Sequence, residues 1–149
     1  MIRQAVITDA SRIAEILIFT KRMNYRSIFQ NDMVSFGEMQ VYPLVKNLID
    51  HPEQLSNVMV YDDGIVKALI TIDETQIKEL YVDSFFENQG IGTTLLNYAV
   101  EQMSCNWLWV LEKNTKAIRF YERNGFRFIG EKKLEDGTSE YLLKMKRVS

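Results

Sequence analysis

Residues 114–126 read Asn114-Thr115-Lys116-Ala117-Ile118-Arg119-Phe120-Tyr121-Glu122-Arg123-Asn124-Gly125-Phe126. The spacing of seven between Asn114 and Tyr121 is close to two helical turns, so a helix over 114–123 carries both on one face. Asn114 opens this helix and suits its cap, while Asn124-Gly125 stops it. Taken singly, Tyr121 reads as a core aromatic beside Phe120. Upstream, Glu87-Asn88-Gln89-Gly90-Ile91-Gly92-Thr93-Thr94 lies between a strand and a helix. Glycines there let the backbone turn tightly and approach a ligand, and the free N–H groups of a helix start attract an anion such as a pyrophosphate. The plainer reading of this loop is a glycine turn that only starts a helix. A P-loop would need Gly-Lys-Ser/Thr, but Gly92 is followed by Thr93-Thr94. A dinucleotide fingerprint would need glycine at position 95, which is Leu95; Glu112 alone mimics its ribose-binding acid.

Outward from these two segments, residues 2–7 read as a strand, and Thr8-Asp9 offers a cap for a helix with Ile13, Ile16, Leu17 and Met23 at helical spacing. Residues 25–38 lack a clear period and read as loop or irregular helix. A second helix runs from about Glu38 to Ile49 and stops near His51-Pro52. Strands follow at Asn57–Tyr61, Val66–Ile72 and Gln76–Val82, the first two joined by Asp62-Asp63-Gly64. Gly90–Met103 is a helix with Leu95, Leu96, Ala99, Val100 and Met103 in one stripe, and Trp107–Leu111 is a strand. Two last strands, about Phe126–Leu134 and Ser139–Lys146, flank the turn 135–138. This order is neither a regular βαβ alternation nor an all-β meander, and it predicts a mixed α/β sheet with helices on its faces.

The length of 149 residues, with 46% hydrophobic and 26% charged residues, predicts one domain over 1–149 that buries a real core. A net charge of −2 and the absence of a basic stripe argue against nucleic acid as a partner. The run Lys144-Met145-Lys146-Arg147 reads as the last strand instead. Cys105 is the one cysteine, which fits a reducing compartment. No apolar run approaches a membrane span and the start lacks a signal-peptide pattern, so the expected address is the cytoplasm.

The two motifs together resemble the GCN5-related N-acetyltransferase (GNAT) superfamily over nearly the whole chain. Gln89-Gly90-Ile91-Gly92 with Leu95-Leu96 is similar to the end of its pyrophosphate-binding motif. Asn114-x-x-Ala117-Ile118-x-Phe120-Tyr121-Glu122-x-x-Gly125-Phe126 is similar to its next motif and is the more specific. The resemblance implies a GNAT-like α/β (α+β) fold: a mixed, mostly antiparallel central sheet of about seven strands, helices on both faces, and a V-shaped splay between two central strands. It implies that the strand before the glycine loop is bulged and parts from Trp107–Leu111, with Leu80 and Val82 offering backbone groups to acetyl-CoA. Gln89, Gly90, Gly92, Thr93 and Thr94 would hold the pyrophosphate, Asn114 the pantetheine arm, and Tyr121 would protonate the departing thiolate. Glu87 departs from the usual Gln or Arg, and a carboxylate at 4 Å from a pyrophosphate costs about 1 kcal/mol even in bulk water.

The implied reaction is direct attack of an amine on the thioester, which needs a base to neutralise the amine. Glu79 is the candidate, with a solvated strand glutamate as the alternative and Glu112 as a weaker choice. Cys105 lacks an evident His partner, since His51 is the only histidine and sits in a loop, and no metal constellation is present. The acceptor, a small-molecule or peptide amine, would be selected by residues 20–40, including Tyr25, Phe29 and Phe36, and by the final hairpin. Arg22 and Arg26 suit an acidic acceptor or, more commonly, are solvated surface arginines, and the acidic overall charge mildly disfavours an acidic polymer as substrate. A non-catalytic acetyl-CoA-binding module of the same fold is the competing reading, and it has little need of the Tyr121 hydroxyl. A homodimer is compatible with the apolar last strand.

Overall fold

The computed structural model describes the backbone of residues 1–29 and 41–148 and the side chains of 1–21 and 41–148. Seven strands, β1 (Ile2–Gln4), β2 (Val58–Asp62), β3 (Val66–Asp73), β4 (Gln76–Val82), β5 (Trp107–Leu111), β6 (Phe126–Leu134) and β7 (Tyr141–Arg147), form one sheet in the order β1-β2-β3-β4-β5-β7-β6. Every pairing is antiparallel except β4 with β5. The helices are α1 (Ala10–Phe29), α2 (Val41–Asp50), α3 (Ile91–Met103) and α4 (Thr115–Arg123).

The sheet separates two apolar layers. On one side Ala10, Ile13, Ile16 and Leu48 from α1 and α2 pack on Val58, Val60 and Leu69. On the other, Ile91, Leu95, Leu96 and Ala99 of α3, with Tyr121 of α4, pack on Ala68, Ile70, Ile77, Leu108 and Val110. Strand β3 is central, so Ala68, Leu69 and Ile70 are all fully buried, and its sequence is an apolar run instead of an alternation.

Several expected boundaries move for physical reasons. The first strand ends at Gln4 because Ile7–Asp9 makes a 3-10 turn before α1. Asp9 acts at that turn by accepting from the Val6 N–H at 2.8 Å and forking onto the Arg3 guanidinium at 2.8 and 3.0 Å. Helix α1 continues to Phe29, whereas the sequence suggests loop or irregular helix from 25. No proline or glycine interrupts this stretch, and lack of an apolar stripe does not by itself end a helix. The side chains of Arg22, Tyr25, Arg26 and Phe29, together with Phe36 and the expected helix start at Glu38, lie outside the described residues.

Pairing of β4 with β5 covers only Gln76 with Trp107 and Ile77 with Leu108. Beyond these the two strands part, which is the V-shaped splay. On the other edge of β4 the register with β3 skips Lys78: Ile72 faces Ile77, and Thr71 faces Glu79. This bulge inverts the side-chain alternation. Leu80 and Val82 therefore stay on the α3/α4 side with Ile77, while Glu79 and Tyr81 turn to the α1 side with Leu69.

The end of β4 is tied to α1 by charge. Arg12 donates through Nε to the Val66 carbonyl at 2.8 Å, and its Nη2 pairs with Asp83. Burial opposes ionisation of Asp83, but the Phe85 N–H and the Arg12 guanidinium outweigh it and hold the carboxyl below its ordinary value. A lowered folded-state value means that the stabilisation is present above the unfolded carboxylate range, near 4, and is lost as pH falls through the lower folded value. Denaturant midpoints measured down through the acid range should therefore fall less steeply for Asp83→Asn than for the wild type, and the variant should be the less stable at neutral pH.

Candidate active site

The splay opens into a cleft of about 530 Å³. Its walls include Glu79, Leu80 and Val82 of β4, Gly90, Gly92 and Thr93 at the start of α3, Trp109 to Leu111 of β5, and Asn114 and Tyr121. Past Ile77 the backbone groups of β4 that would have met β5 open onto this space, so they are available to a ligand.

At one end the chain enters α3 through Asn88 and Gly90, both at positive φ (63° and 81°). The first backbone bond of the helix runs from the Thr94 N–H to the Gly90 carbonyl at 3.0 Å. The N–H groups of Ile91, Gly92 and Thr93 thus have no partner within the helix and border the cleft, an arrangement that suits an anion. A Cβ on Gly92 would lie 3.4 Å from the Phe120 ring and 3.6 Å from Val82, so glycine keeps this corner open. Thr94 donates its hydroxyl to the Gly90 carbonyl at 2.9 Å, and neither it nor the exposed Gln89 forms part of the cleft wall. Of the residues expected to hold the cofactor, these are the two that the cleft does not gather.

Asn114 caps α4: its Oδ1 accepts from the Ala117 N–H at 3.3 Å. Its amide Nδ2 has no protein partner among the described residues, and the residue lines the cleft, so capping and presentation of a donor coexist. Tyr121 is only 9% exposed, with its ring edge-on to Phe120 and Phe126 at 5.2 and 5.8 Å, yet it too borders the cleft. Glu79 stands on the other side of the sheet. Its Oε2 is buried without a hydrogen bond, and the Lys21 Nζ of α1 lies 3.4 Å away.

Glu87 is paired with Lys116 of α4 at 3.3 Å, and both border the cleft. Sequence reading raised Glu87 without seeing this compensating cation, which lies 29 residues away and has no local signal. Lys21, Lys78, Phe86, Trp109 and Arg123 were likewise not foreseen as neighbours of the site. Glu112 is tied to Lys132 at 2.9 Å and is absent from the cleft wall.

These features meet in the comparisons with known proteins. The Acetyltransferase (GNAT) family profile matches residues 24–126, and the chain belongs to that family. It is 28% identical to the peptidyl-lysine N-acetyltransferase YjaB of Salmonella typhimurium over 92 residues, which is 62% of this chain and 63% of that one. The fold matches an N-acetyltransferase from Staphylococcus aureus Mu50 with a TM-score of 0.76 at 16% identity, covering 97% of this chain and 98% of that one. It also matches PaiA N-acetyltransferase from Thermoplasma acidophilum in complex with coenzyme A, with a TM-score of 0.57 at 21% identity, covering 99% and 98%. Matched segments span 25%, 63% and 34% of the lengths of three curated relatives, under two-thirds in each. No helix among the described residues is long and apolar enough to cross a membrane.

Cys105 is buried beside Leu108 and Ala99 in the core, 1% exposed, and burial pushes its thiol up to about 11. Such a thiol is neither accessible nor ionised near neutrality. Added to native protein at pH 8, a colourimetric disulfide reagent should therefore react no faster than the chain unfolds, and at once in denaturant. Fast reaction in the native state would mean that the thiol is reachable.

Proposed function

We propose that residues 1–149 act as one domain that transfers the acetyl group of acetyl-CoA to a primary amine by direct attack in a ternary complex. The observation that carries this reading is the parted β4–β5 pair, with an anion-suited helix start at one end and Tyr121 and Glu79 reaching it from opposite sides of the sheet. The complex of the structurally similar PaiA with coenzyme A supports the choice of cofactor. The N–H groups of Ile91, Gly92 and Thr93 suit a pyrophosphate, with Gln89 and Thr94 shaping the loop from outside the cleft wall. The open edge of β4 at Leu80 and Val82 and the Nδ2 of Asn114 suit the amides of a pantetheine arm. Bound there, acetyl-CoA supplies an activated thioester carbonyl.

The chain's own groups handle the protons. Glu79 takes a proton from the acceptor ammonium, and its surroundings already hold one ammonium, that of Lys21. As the amine nitrogen bonds to the carbonyl carbon and the carbon–sulfur bond breaks, Tyr121 gives its phenolic proton to the sulfur; the nitrogen's second proton returns to the Tyr121 phenolate through water, and the proton on Glu79 leaves to solvent. The absence of a reachable thiol favours this one-step transfer over an acyl-enzyme. The relative named as a peptidyl-lysine N-acetyltransferase supports an amine acceptor, which in this reading is a peptide or small-molecule amine met in the cytoplasm.

Tyr121→Phe should lower kcat by about a hundredfold while leaving the acetyl-CoA dissociation constant unchanged, as read by thiol release and calorimetry. A non-catalytic binding module would bind acetyl-CoA with no turnover in either protein. The Glu87 carboxylate is neutralised by Lys116 across an exposed pair, so its effect on the cofactor is small. Lys116→Ala should raise the acetyl-CoA dissociation constant about threefold, and adding Glu87→Gln should recover much of that loss. Glu87→Gln alone should leave the constant unchanged or lower it; a clear rise would contradict the assigned pair.

A further inference from the structure

On the sheet face opposite α3 and α4, Trp107, Trp109 and Leu111 of β5 stand across from Lys146, Lys144 and Leu142 of β7, and Lys133 of β6 stands across from Leu142. Their core-facing neighbours Leu108, Val110, Leu143 and Met145 point the other way. The two indole rings meet edge to face at 6.5 Å. Lys144 Nζ lies 4.6 Å from the Trp107 centroid and 5.9 Å from that of Trp109, and Lys133 Nζ lies 4.6 Å from Trp109. A lysine laid on an indole is ordered without being neutralised. Glu131 approaches Lys144 at 3.7 Å, but Lys133 and Lys146 have no carboxylate within ion-pair distance among the described residues. This face is therefore locally positive on a chain whose net charge is −2.

The array runs into the cleft, because Trp109, Leu111 and Leu142 also line its wall. It enters on the side of the sheet to which the Lys78 bulge turns Glu79. Lys78, exposed and without a carboxylate partner among the described residues, adds a further cation at this mouth, where Glu135 and the Lys21-paired Glu79 are the opposing charges. A single-stranded nucleic acid would need open aromatic faces for its bases, and here lysines already lie over both indoles.

We propose that this face docks an acidic peptide segment. Aspartate or glutamate side chains flanking the target amine lie on Lys133, Lys144 and Lys146, and the amine enters the cleft beside Glu79. The inference rests on the acetyltransferase reading and names its acceptor class. Charge complementarity at such a rim acts mainly on selection of the partner and on encounter rate.

Three fluorescein-labelled peptides with one central lysine, flanked by Glu, Ala or Arg, should be titrated by anisotropy onto the full chain saturated with CoA, and their acetylation followed by thiol release. The Glu-flanked peptide should bind about tenfold more tightly than the Ala-flanked one, with the Arg-flanked one weakest. That advantage should shrink with added salt and vanish in Lys133→Glu/Lys144→Glu with CoA affinity retained. If the double variant does not fold, the flanking series on the wild type decides. Equal affinities, a preference for the Arg-flanked peptide, tighter binding of an oligonucleotide, or sedimentation showing a dimer that buries the tryptophans would each overturn the proposal. Selective binding of the Glu-flanked peptide without thiol release would sink the catalytic reading alone, and acetylation indifferent to flanking charge would sink this proposal alone.

Discussion

The structure turns on the point at which β4 and β5 stop exchanging hydrogen bonds. Among the described residues these strands are the only parallel neighbours in the sheet, and they stay joined through just two residue pairs. Had they continued, the backbone groups past Ile77 and Leu108 would be satisfied by each other and the middle of the sheet would be closed. Parting leaves those groups at the wall of a cleft, where water or a ligand must serve them, since an unpaired buried backbone group costs about 1–3 kcal/mol. Both sides of the gap are held by packing: Ile77 and Leu108 in the core layer with α3, and the far ends by Val82, which packs on the same layer, and by Leu111, which pairs with β7.

The bulge at Lys78 decides what the gap contains. In a regular strand, Glu79 would follow Ile77 onto the α3/α4 side, into the apolar layer, where a carboxylate without a partner is expensive. The extra residue sends Leu80 and Val82 there and brings Glu79 to the face where Lys21 waits. One residue of register thus separates a core that tolerates its strand from one that would not, and the same step puts an acid–base candidate at the cleft.

Much of this was legible in the chain and part of it was not. The apolar stripe of α3 and the Asn114-to-Tyr121 spacing fix those helices because periodicity is a local property, and β4, β5 and β6 end where the sequence places them. The position of the bulge has no such signature: Gln-Ile-Lys-Glu-Leu-Tyr-Val reads the same with or without a skipped residue, and only the partner strand defines it. The family resemblance implied a bulge without placing it. Contacts between distant segments were equally silent, so Glu87 could be read as a liability while its partner Lys116, on a different helix, could not be foreseen. Residues flanking the helix start, such as Gln89 before it and Thr94 in its first turn, carry a motif's identity, yet the helix start presents its backbone instead.

Among the described residues, three charge pairs join different elements at β4 and the loop that follows it: Arg12 with Asp83, Lys21 with Glu79 and Lys116 with Glu87. Arg12–Asp83 is the least exposed of them, at 21% and 14%, and is reinforced by backbone bonds, so it fixes α1 to the end of β4. Lys116–Glu87 is mostly solvated, a setting in which such pairs contribute little to stability; it cancels charge more than it binds elements. Lys21–Glu79 falls between them, longer at 3.4 Å and with one carboxylate oxygen otherwise unpartnered. That combination, a carboxylate desolvated enough to seek a cation but not locked to the one it has, is what exchange with an incoming ammonium requires. In the proposed reaction, therefore, the tight pair builds the site, the solvated pair tunes its charge, and the loose pair is the one open to exchange with the acceptor.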